Sequence, residues 1–243
     1  VGLVLLGHDL GTALILLVLV AGSLFVAGVR LRFFAVAAVV VGAVVWQLAQ
    51  RGTRLERITA FFSPDCDVQG VCYQTTRGLF GLATGGLTGI GLGASREKWS
   101  YLPMAHNDFI FAIIGEELGL LGTLLVLGLF GVLGVALTRV IRRHTDPFVQ
   151  VTTGAIAAWV LGQAIVNIAV VIGLLPVIGV PLPLVSAGGS ALVTTLVAMG
   201  VVLSFARSEP GAKEALAARP GVVRRSLAVV GLSGRGRARG NRG

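Results

Sequence analysis

Three carboxylates, Asp108, Glu116 and Glu117, lie at the start of a long apolar run. An ionised group at membrane depth costs about 3 kcal/mol on insertion scales, so each needs a partner, a water-filled cavity or a function. In a regular helix, Glu116 lies about 12 Å deeper than Asp108 and about 80° round from it, and Glu117 falls on the opposite face. At most one of the two glutamates can therefore share a cavity with Asp108. We expect the glutamates to pair structurally, whereas Asp108 is either a helix-cap or first-turn acid or a reactive group.

A glycine-rich segment, residues 75–98, precedes these acids and ends in polar and cationic side chains. Glycine lets the backbone approach a ligand or another helix closely, and it weakens a transmembrane helix. The segment is therefore predicted to be shallow or re-entrant at the outer membrane surface. Ser95, Arg96 and Lys98 follow its last glycines, and such groups beside free backbone N–H groups suit an anion. We predict an anion-binding lip here.

The elements that position these residues are predicted to cross a membrane. Of the 243 residues, 55% are hydrophobic and 13% are charged, which is too apolar for an ordinary soluble domain. A span needs roughly 20 apolar residues. Five runs qualify, namely residues 10–29, 33–49, 109–137, 152–171 and 187–205. The predicted fold is all-α, a polytopic membrane helix bundle of about five complete transmembrane helices with a long extracytoplasmic loop.

The chain is predicted to form a membrane domain, residues 1–206, that includes this outer loop, residues 51–107, and is followed by a tail. The tail, residues 207–243, is rich in arginine and glycine. It is expected to be disordered and attracted to anionic lipids. It contains no aromatic residue for base stacking, so nucleic acid is not an expected partner. Residues 1–7 are interpreted as the end of a helix, and the chain is accordingly expected to be the C-terminal part of a larger protein.

Lysine and arginine in the loops set the predicted orientation. If the five spans alternate, Arg30, Arg32 and the arginines at 139, 142 and 143 lie on the same side as the C-terminal tail. That side is predicted to be the cytoplasm, and the glycine-rich segment and Asp108 then lie at the outer face.

Structural roles are predicted for three residues outside the acidic stretch. Cys66 and Cys72 both fall in the outer loop, where an oxidising exterior favours a small disulfide. Two free thiols are the alternative, and the ligands that a metal site would need are not found. Asp9 precedes the first complete run and is interpreted as a helix N-cap, with a functional carboxylate as the alternative.

Residues 173–190 combine prolines and glycines in an apolar setting between the last two runs. Irregular backbone at membrane depth must be buried against protein or line a cavity. Ser186 and Ser190 stand at the end of this segment, where hydroxyls and free N–H groups at a helix start could bind a ligand. On the preceding run, Gln163 and Asn167 are four residues apart and share one face. They are predicted to form interhelical hydrogen bonds.

Residues 91–119, which contain the acidic stretch and its approach, resemble the signature of the SEDS family, the FtsW/RodA/SpoVE group of cell-wall polymerases. Residues 9–12 and 181–190 resemble two further motifs of the family, in the family's order. The resemblance covers nearly all of residues 1–208. Details such as Ser95-Arg-Glu-Lys98 are more similar to the division-type FtsW branch than to the elongation-type RodA branch.

The resemblance implies a peptidoglycan glycosyltransferase of cell division. Such an enzyme transfers glycan from a polyprenyl-pyrophosphate donor to a sugar hydroxyl of lipid II at the outer membrane face. Asp108 occupies the position of the family's essential aspartate. Its implied role is general base toward that hydroxyl, or ligand of a divalent cation, Mg²⁺ or Mn²⁺, near the pyrophosphate. No organic cofactor is expected.

The resemblance also implies which residues contact the substrate and which partners are needed. The expected substrate-binding residues are Arg77, Ser95, Arg96, Lys98, His106, Ser186 and Ser190. The cations among them would neutralise the released pyrophosphate, and His106 either orients the acceptor or the carboxylate or is a loop histidine without a task. Expected partners are a class B penicillin-binding protein, other division proteins and membrane lipids.

The location implied is the bacterial plasma membrane, crossed several times, with the C-terminus in the cytoplasm and the protein at the division septum. The chain by itself is expected to be inactive. Two other functions stay open: a lipid II translocase, which would use intramembrane charge to pass a pyrophosphate headgroup across the bilayer, and a non-enzymatic division scaffold.

Overall fold

The computed structural model of the protein describes residues 10–49, 72–101 and 107–209, and residues 4, 61, 63, 67, 70 and 211 singly. Over these residues the chain is helical and contains no strand. The helices are α1 (Leu10–Val26), α2 (Leu31–Ala49), α3 (Tyr73–Gly85), α4 (Ile110–Arg143), α5 (Pro147–Val171) and α6 (Gly189–Arg207), with a short π-helical turn at Glu97–Tyr101 between α3 and α4.

All five predicted spans are helical, and the prediction of an all-α membrane bundle is confirmed. Helices α4, α5 and α6 are long and apolar enough to cross a membrane, while the apolar stretches described within α1 and α2, Gly11–Val26 and Leu31–Ala43, are shorter. Helix α3 has 13 residues, fewer than the roughly 20 that a span requires. The predicted tail lies outside the described residues beyond its first few positions.

Helix α5 lies at the centre of the described bundle and packs against α1, α4 and α6. Gly154, Ala158 and Gly162 recur every four residues along it, and small residues at this spacing let two helix backbones approach closely. A side chain added at Gly154 would collide with Val26 of α1, and one added at Gly162 would meet Val18 of α1. The face of α5 that carries these small residues therefore packs closely against α1.

A short turn connects the C-terminal end of α4 to the start of α5. Asp146 is the N-cap of α5 and accepts a hydrogen bond from the Phe148 N–H at 2.9 Å, with Pro147 in the first turn. Both are favoured residues at a helix start. Nε2 of the buried His144 lies 2.9 Å from the carbonyl oxygen of Phe205 at the end of α6. The ends of α4 and α6 and the start of α5 are thereby fastened together.

Helix α4 is interrupted one third of the way along. Gly119 has φ +66° and ψ −159°, outside the helical region. Residues 86–91, here called the glycine turn, dock on this break. Two N–H groups late in the turn donate to the carbonyls of Glu116 and Glu117 at 3.0 and 3.1 Å, and the Leu120 N–H donates back to the start of the turn at 2.9 Å. The backbone groups released by the break are satisfied by the turn.

This docking depends on glycine at the point of closest approach. Gly89 has φ +80°, and a side chain added there would collide with the backbone carbonyl of Glu117. The glycine-rich segment was predicted to approach either a ligand or another helix closely. The turn at its centre approaches a helix, and the predicted run 109–137 consists of two helical pieces rather than one.

Candidate functional site

Asp108 lies in the turn 107–109 directly before α4 and is half-buried. The N-cap position of α4 belongs to Phe109, so Asp108 is not the N-cap residue. Phe109 is 1% exposed and packs in the core with Val171 and Leu182. The buried ring anchors the turn between α5 and the loop that follows it, and Asp108 stays at the edge of the core.

Two polar side chains hold the backbone of this turn. The side-chain amide of Asn167 donates to the carbonyl oxygen of Asp108 at 2.7 Å, and the hydroxyl of Ser186 donates to the carbonyl oxygen of Asn107 at 2.6 Å. Ser186 also accepts a hydrogen bond from the Leu182 N–H at 2.7 Å. The turn that carries Asp108 is therefore fixed from α5 on one side and from the segment after α5 on the other.

That segment, residues 172–188, is here called the proline loop. Amides on α5 hold it: Gln163 donates to the carbonyl oxygen of Pro181 at 2.8 Å, and Asn167 donates to that of Val180 at 2.7 Å. The loop therefore folds back against protein, as irregular backbone at membrane depth must. Gly179 has φ +73°, and a Cβ built there would lie 3.7 Å from Oδ2 of Asp108. The proline loop thus forms one wall beside the carboxylate.

An open apolar groove begins at this wall. It has a volume of about 370 Å³ and runs between α1, α5 and α6. Its lining includes Leu16 and Leu19 of α1, Trp159 of α5, and Gly179 and Pro181 of the proline loop. The wall that contacts Asp108 on one side therefore borders an apolar channel on the other.

Ser95 to Lys98, here called the cationic lip, lie against the first turns of α4. The hydroxyl of Ser95 donates to Oε2 of Glu116 at 2.5 Å, and the Arg96 N–H donates to Oε1 at 3.1 Å. Glu116 is 1% exposed, and Lys98 forms an ion pair with Glu117 at 2.8 Å. Both glutamates hold the same segment, although they are about 100° apart on the helix.

Arg77 on α3 forms an ion pair with Glu97 of the lip at 3.5 Å. Oε2 of Glu97 is buried, and no described residue forms a hydrogen bond with it. Burial raises the pKa of the Glu97 carboxyl, the nearby charge of Glu116 raises it further, and the Arg77 guanidinium opposes both. The lip therefore carries one carboxyl group that protonates more readily than an ordinary glutamate.

The predicted substrate-binding residues occupy different positions. Ser95 is a buried residue of the lip, Arg77 and Lys98 are ion-paired, and Arg96 is exposed, with no ion pair to an acidic side chain of the described residues. Ser186 is buried and holds the Asp108 turn, whereas Ser190 is exposed in the first turn of α6. His106, Asp9 and Cys66 lie outside the described residues. Cys72 is disulfide-bonded.

Asn167 was recognised from the sequence only as an interhelical hydrogen-bonding group. Its spacing of four from Gln163 places both side-chain amides on one face of the helix. The spacing does not indicate that these amides donate to backbone carbonyls of the proline loop and the Asp108 turn. Glu97 was not singled out at all. Its signal would have been a carboxylate flanked by two cations in a segment predicted to pack closely.

Among the described residues, no group of three or more His, Cys, Asp and Glu side chains comes together in a way that could hold a metal ion. Glu116 and Glu117, the acids that follow Asp108 in sequence, are engaged by the cationic lip.

Comparisons with known proteins point to one family. The model of the FtsW, RodA and SpoVE family, described as cell cycle proteins, matches residues 1–210. The chain is 46% identical over 212 residues to the probable peptidoglycan glycosyltransferase FtsW of Mycobacterium tuberculosis, which covers 86% of this chain and 40% of that protein. It is 41% identical over 210 residues to the protein of the same name from Coxiella burnetii, covering 84% and 56%.

A solved structure is also similar. It is described as "Structural coordination of polymerization and crosslinking by a peptidoglycan synthase complex", with a TM-score of 0.66 and 30% identity. The match covers 84% of this chain and 57% of that one. The chain thus spans about half the length of the relatives that it matches.

Proposed function

The chain belongs to the FtsW/RodA/SpoVE family of cell cycle proteins, and we propose on that basis that the whole protein containing it is a peptidoglycan glycosyltransferase. The substrate would be lipid II, polymerised at the outer face of the plasma membrane. The placement of Asp108 carries the proposal. A half-buried carboxylate lies in a turn held from two sides, beside a loop wall that borders an apolar groove.

In the proposed reaction, Asp108 accepts the proton of the acceptor sugar hydroxyl. The hydroxyl oxygen bonds to the anomeric carbon of the donor, and the bond from that carbon to the pyrophosphate oxygen breaks. Polyprenyl pyrophosphate leaves with the bonding electrons. A base within hydrogen-bond reach of the hydroxyl contributes roughly 10²- to 10⁴-fold, so this one carboxylate accounts for a large share of the rate.

Arg96 is the cation best suited to the pyrophosphate. Its side chain is exposed, and its backbone is fixed by the buried Glu116. Arg77 and Lys98 are each paired with a glutamate, so using either for an anion would require breaking an existing ion pair. The apolar groove beside Gly179 would accommodate a polyprenyl chain.

The charges inside α4 favour the polymerase over the translocase. A translocase needs intramembrane charge that can meet a passing pyrophosphate. Glu116 accepts hydrogen bonds from the cationic lip, and Glu117 is ion-paired with Lys98. Both glutamates are therefore occupied in holding the lip to the helix.

The remaining proposals concern orientation, location and partners. Arg142 and Arg143 end α4 and Arg207 ends α6, which supports a cytoplasmic position for these helix ends and the C-terminus. We also propose location at the division septum, a class B penicillin-binding protein as partner, and no activity for the 243-residue chain alone.

The test is Asp108→Asn in the full-length protein, reconstituted in vesicles with lipid II and the penicillin-binding protein. We expect glycan polymerisation to fall by about 10²-fold or more, because Asn cannot accept the proton. Asp146→Asn is the matched control, since Asn caps a helix as well as Asp. Normal glycan synthesis by Asp108→Asn would exclude the catalytic role, and loss of lipid II flipping with intact polymerisation would favour the translocase.

A further inference from the structure

The side chain of Asn167 joins the Asp108 turn to the proline loop, two segments whose relative position the proposed reaction would require to be fixed. Asn167 is 1% exposed, and its amide nitrogen donates at 2.7 Å to the carbonyl oxygens of both Asp108 and Val180. Because both partners are acceptors, the nitrogen and not the oxygen must face them. Its Oδ1 is buried and has no hydrogen-bond partner among the described residues. The residue therefore uses both amide hydrogens on this bridge.

Ser186 provides a second bridge between the same two segments. Its hydroxyl donates to the carbonyl oxygen of Asn107, one residue before Asp108, and it accepts the Leu182 N–H within the proline loop. Consecutive backbone carbonyls of the turn are thus tied to the loop by separate side chains. Neither tie uses the Asp108 carboxylate, so the backbone beneath it is positioned by neutral groups.

Gln163 provides the comparison that isolates the role of Asn167. It lies one turn earlier on the same face of α5, is also buried, and also holds the proline loop, through the carbonyl of Pro181 at 2.8 Å. Its oxygen accepts from the Trp159 indole at 2.8 Å. Gln163 therefore fastens the loop to α5, whereas Asn167 fastens the loop to α5 and to the Asp108 turn.

We propose that Asn167 is a positioning residue for the proposed reaction, which holds the Asp108 turn at a fixed place against the proline loop. This inference rests on the proposed function. A small displacement of a reacting group, on the order of 1 Å, can cost 10²-fold in rate. Loss of the bridge would misplace the carboxylate without removing it, and substrate binding at the cationic lip and the apolar groove would be unchanged.

The test compares Asn167→Leu with Gln163→Leu in the full-length protein with lipid II and its penicillin-binding protein partner. We expect Asn167→Leu to lower turnover at saturating lipid II by roughly 30- to 100-fold, with the half-saturating concentration within about twofold of wild type. The melting temperature should fall in both variants, because the backbone carbonyls held by Asn167 or Gln163 lose their donor, so turnover is measured per folded molecule. Gln163→Leu, whose side chain lines the apolar groove, should raise the half-saturating concentration of lipid II. It should keep turnover at saturation within about threefold, since the Asp108 tie is retained.

Asn167→Ser keeps the inference testable if the leucine variant does not fold. Its hydroxyl can donate only one hydrogen bond, so turnover should lie between those of wild type and Asn167→Leu. Wild-type turnover in the folded leucine or serine variant would overturn the inference, as would an equal loss in Gln163→Leu. Asp108→Asn is assayed in parallel: if it polymerises normally, the proposed function fails, whereas an inactive Asp108→Asn beside a fully active Asn167→Leu removes the inference alone.

Discussion

The cationic lip and the proline loop both pack against the start of α4, but they are held by opposite chemistry. The lip is held by charge: Ser95 and Arg96 bind the Glu116 carboxylate, and Lys98 pairs with Glu117. The proline loop is held by the neutral amides and hydroxyl of Gln163, Asn167 and Ser186, which reach backbone carbonyls.

This difference identifies Glu116 and Glu117 as acids that support the fold. A carboxylate that accepts hydrogen bonds from a loop is occupied, and using it in a reaction would release the loop. On the other side of the helix start, the ties to the loop use the backbone of the Asp108 turn. The side chain of Asp108 is not needed for those ties.

The largest expected effect tests how much the docking of the glycine turn on α4 contributes to the stability of the protein. Gly89→Ala places a methyl group against the Glu117 carbonyl, which should destabilise the protein by about 3 kcal/mol or more when the cost of the positive φ is added. The melting temperature in detergent should fall sharply.

Gly28→Ala is the matched control for this change. Gly28 has φ +81° against +80° at Gly89, but an added Cβ there meets nothing within 4 Å. It should cost only the conformational penalty, about 1–2 kcal/mol. Equal losses in the two variants would show that the docking of the glycine turn on α4 contributes no stability.

The second prediction separates the two cations of the lip, Arg96 and Lys98. Arg96→Gln should raise the half-saturating concentration of lipid II by about tenfold, equivalent to about 1.4 kcal/mol of lost binding, with little change in melting temperature. Lys98→Gln should do the reverse and cost up to about 1 kcal/mol of stability, since partly exposed ion pairs contribute little. Initial rates of glycan synthesis over a range of lipid II concentrations measure the first effect. A larger binding defect in Lys98→Gln would contradict the assignment.

The smallest effect concerns the buried carboxyl group of the lip. Because the pKa of Glu97 is raised by burial above its ordinary value of 4.5, its contribution to stability is complete below pH 4.5 and is lost as the pH rises through the folded-state pKa. Wild type should therefore gain stability relative to Glu97→Gln as the pH falls from 7 to 5. Melting temperatures of both proteins across this range provide the test, with Asp146→Asn as control. A constant difference would show that Glu97 titrates normally.

Much of the fold follows from the sequence because hydrophobic length is a strong signal. All five predicted apolar runs are helical, and their bounds differ from those of α1, α2, α4, α5 and α6 by up to six residues. The break at Gly119 was not predicted, since one glycine in an apolar run does not interrupt a helix by itself. The break requires a second segment that satisfies the released backbone groups, and that partner lies some 30 residues away in sequence.

Only part of the site was predictable, because the sequence shows charged residues in an apolar setting but not the contacts between distant segments. Asp108 was selected by its charge in an apolar setting and by family resemblance. Spacing alone could not show that Ser95 would be buried under Glu116 or that Lys98 would pair with Glu117. Both contacts join a loop to a helix, and such contacts depend on the path of the loop. The tie from Asn167 to Asp108 spans 59 residues and leaves no local pattern.

We propose that Asp108 takes part in the reaction and that Glu116 stabilises the fold, although both are acids of the same stretch. The most direct measurement is glycan polymerisation per folded molecule, with the melting temperature, for Asp108→Asn and Glu116→Gln side by side. We expect Asp108→Asn to lose about 10²-fold or more in rate at an unchanged melting temperature. Glu116→Gln should lose roughly 1–3 kcal/mol of stability and keep its rate per folded molecule. An active Asp108→Asn beside a stable but inactive Glu116→Gln would contradict the account.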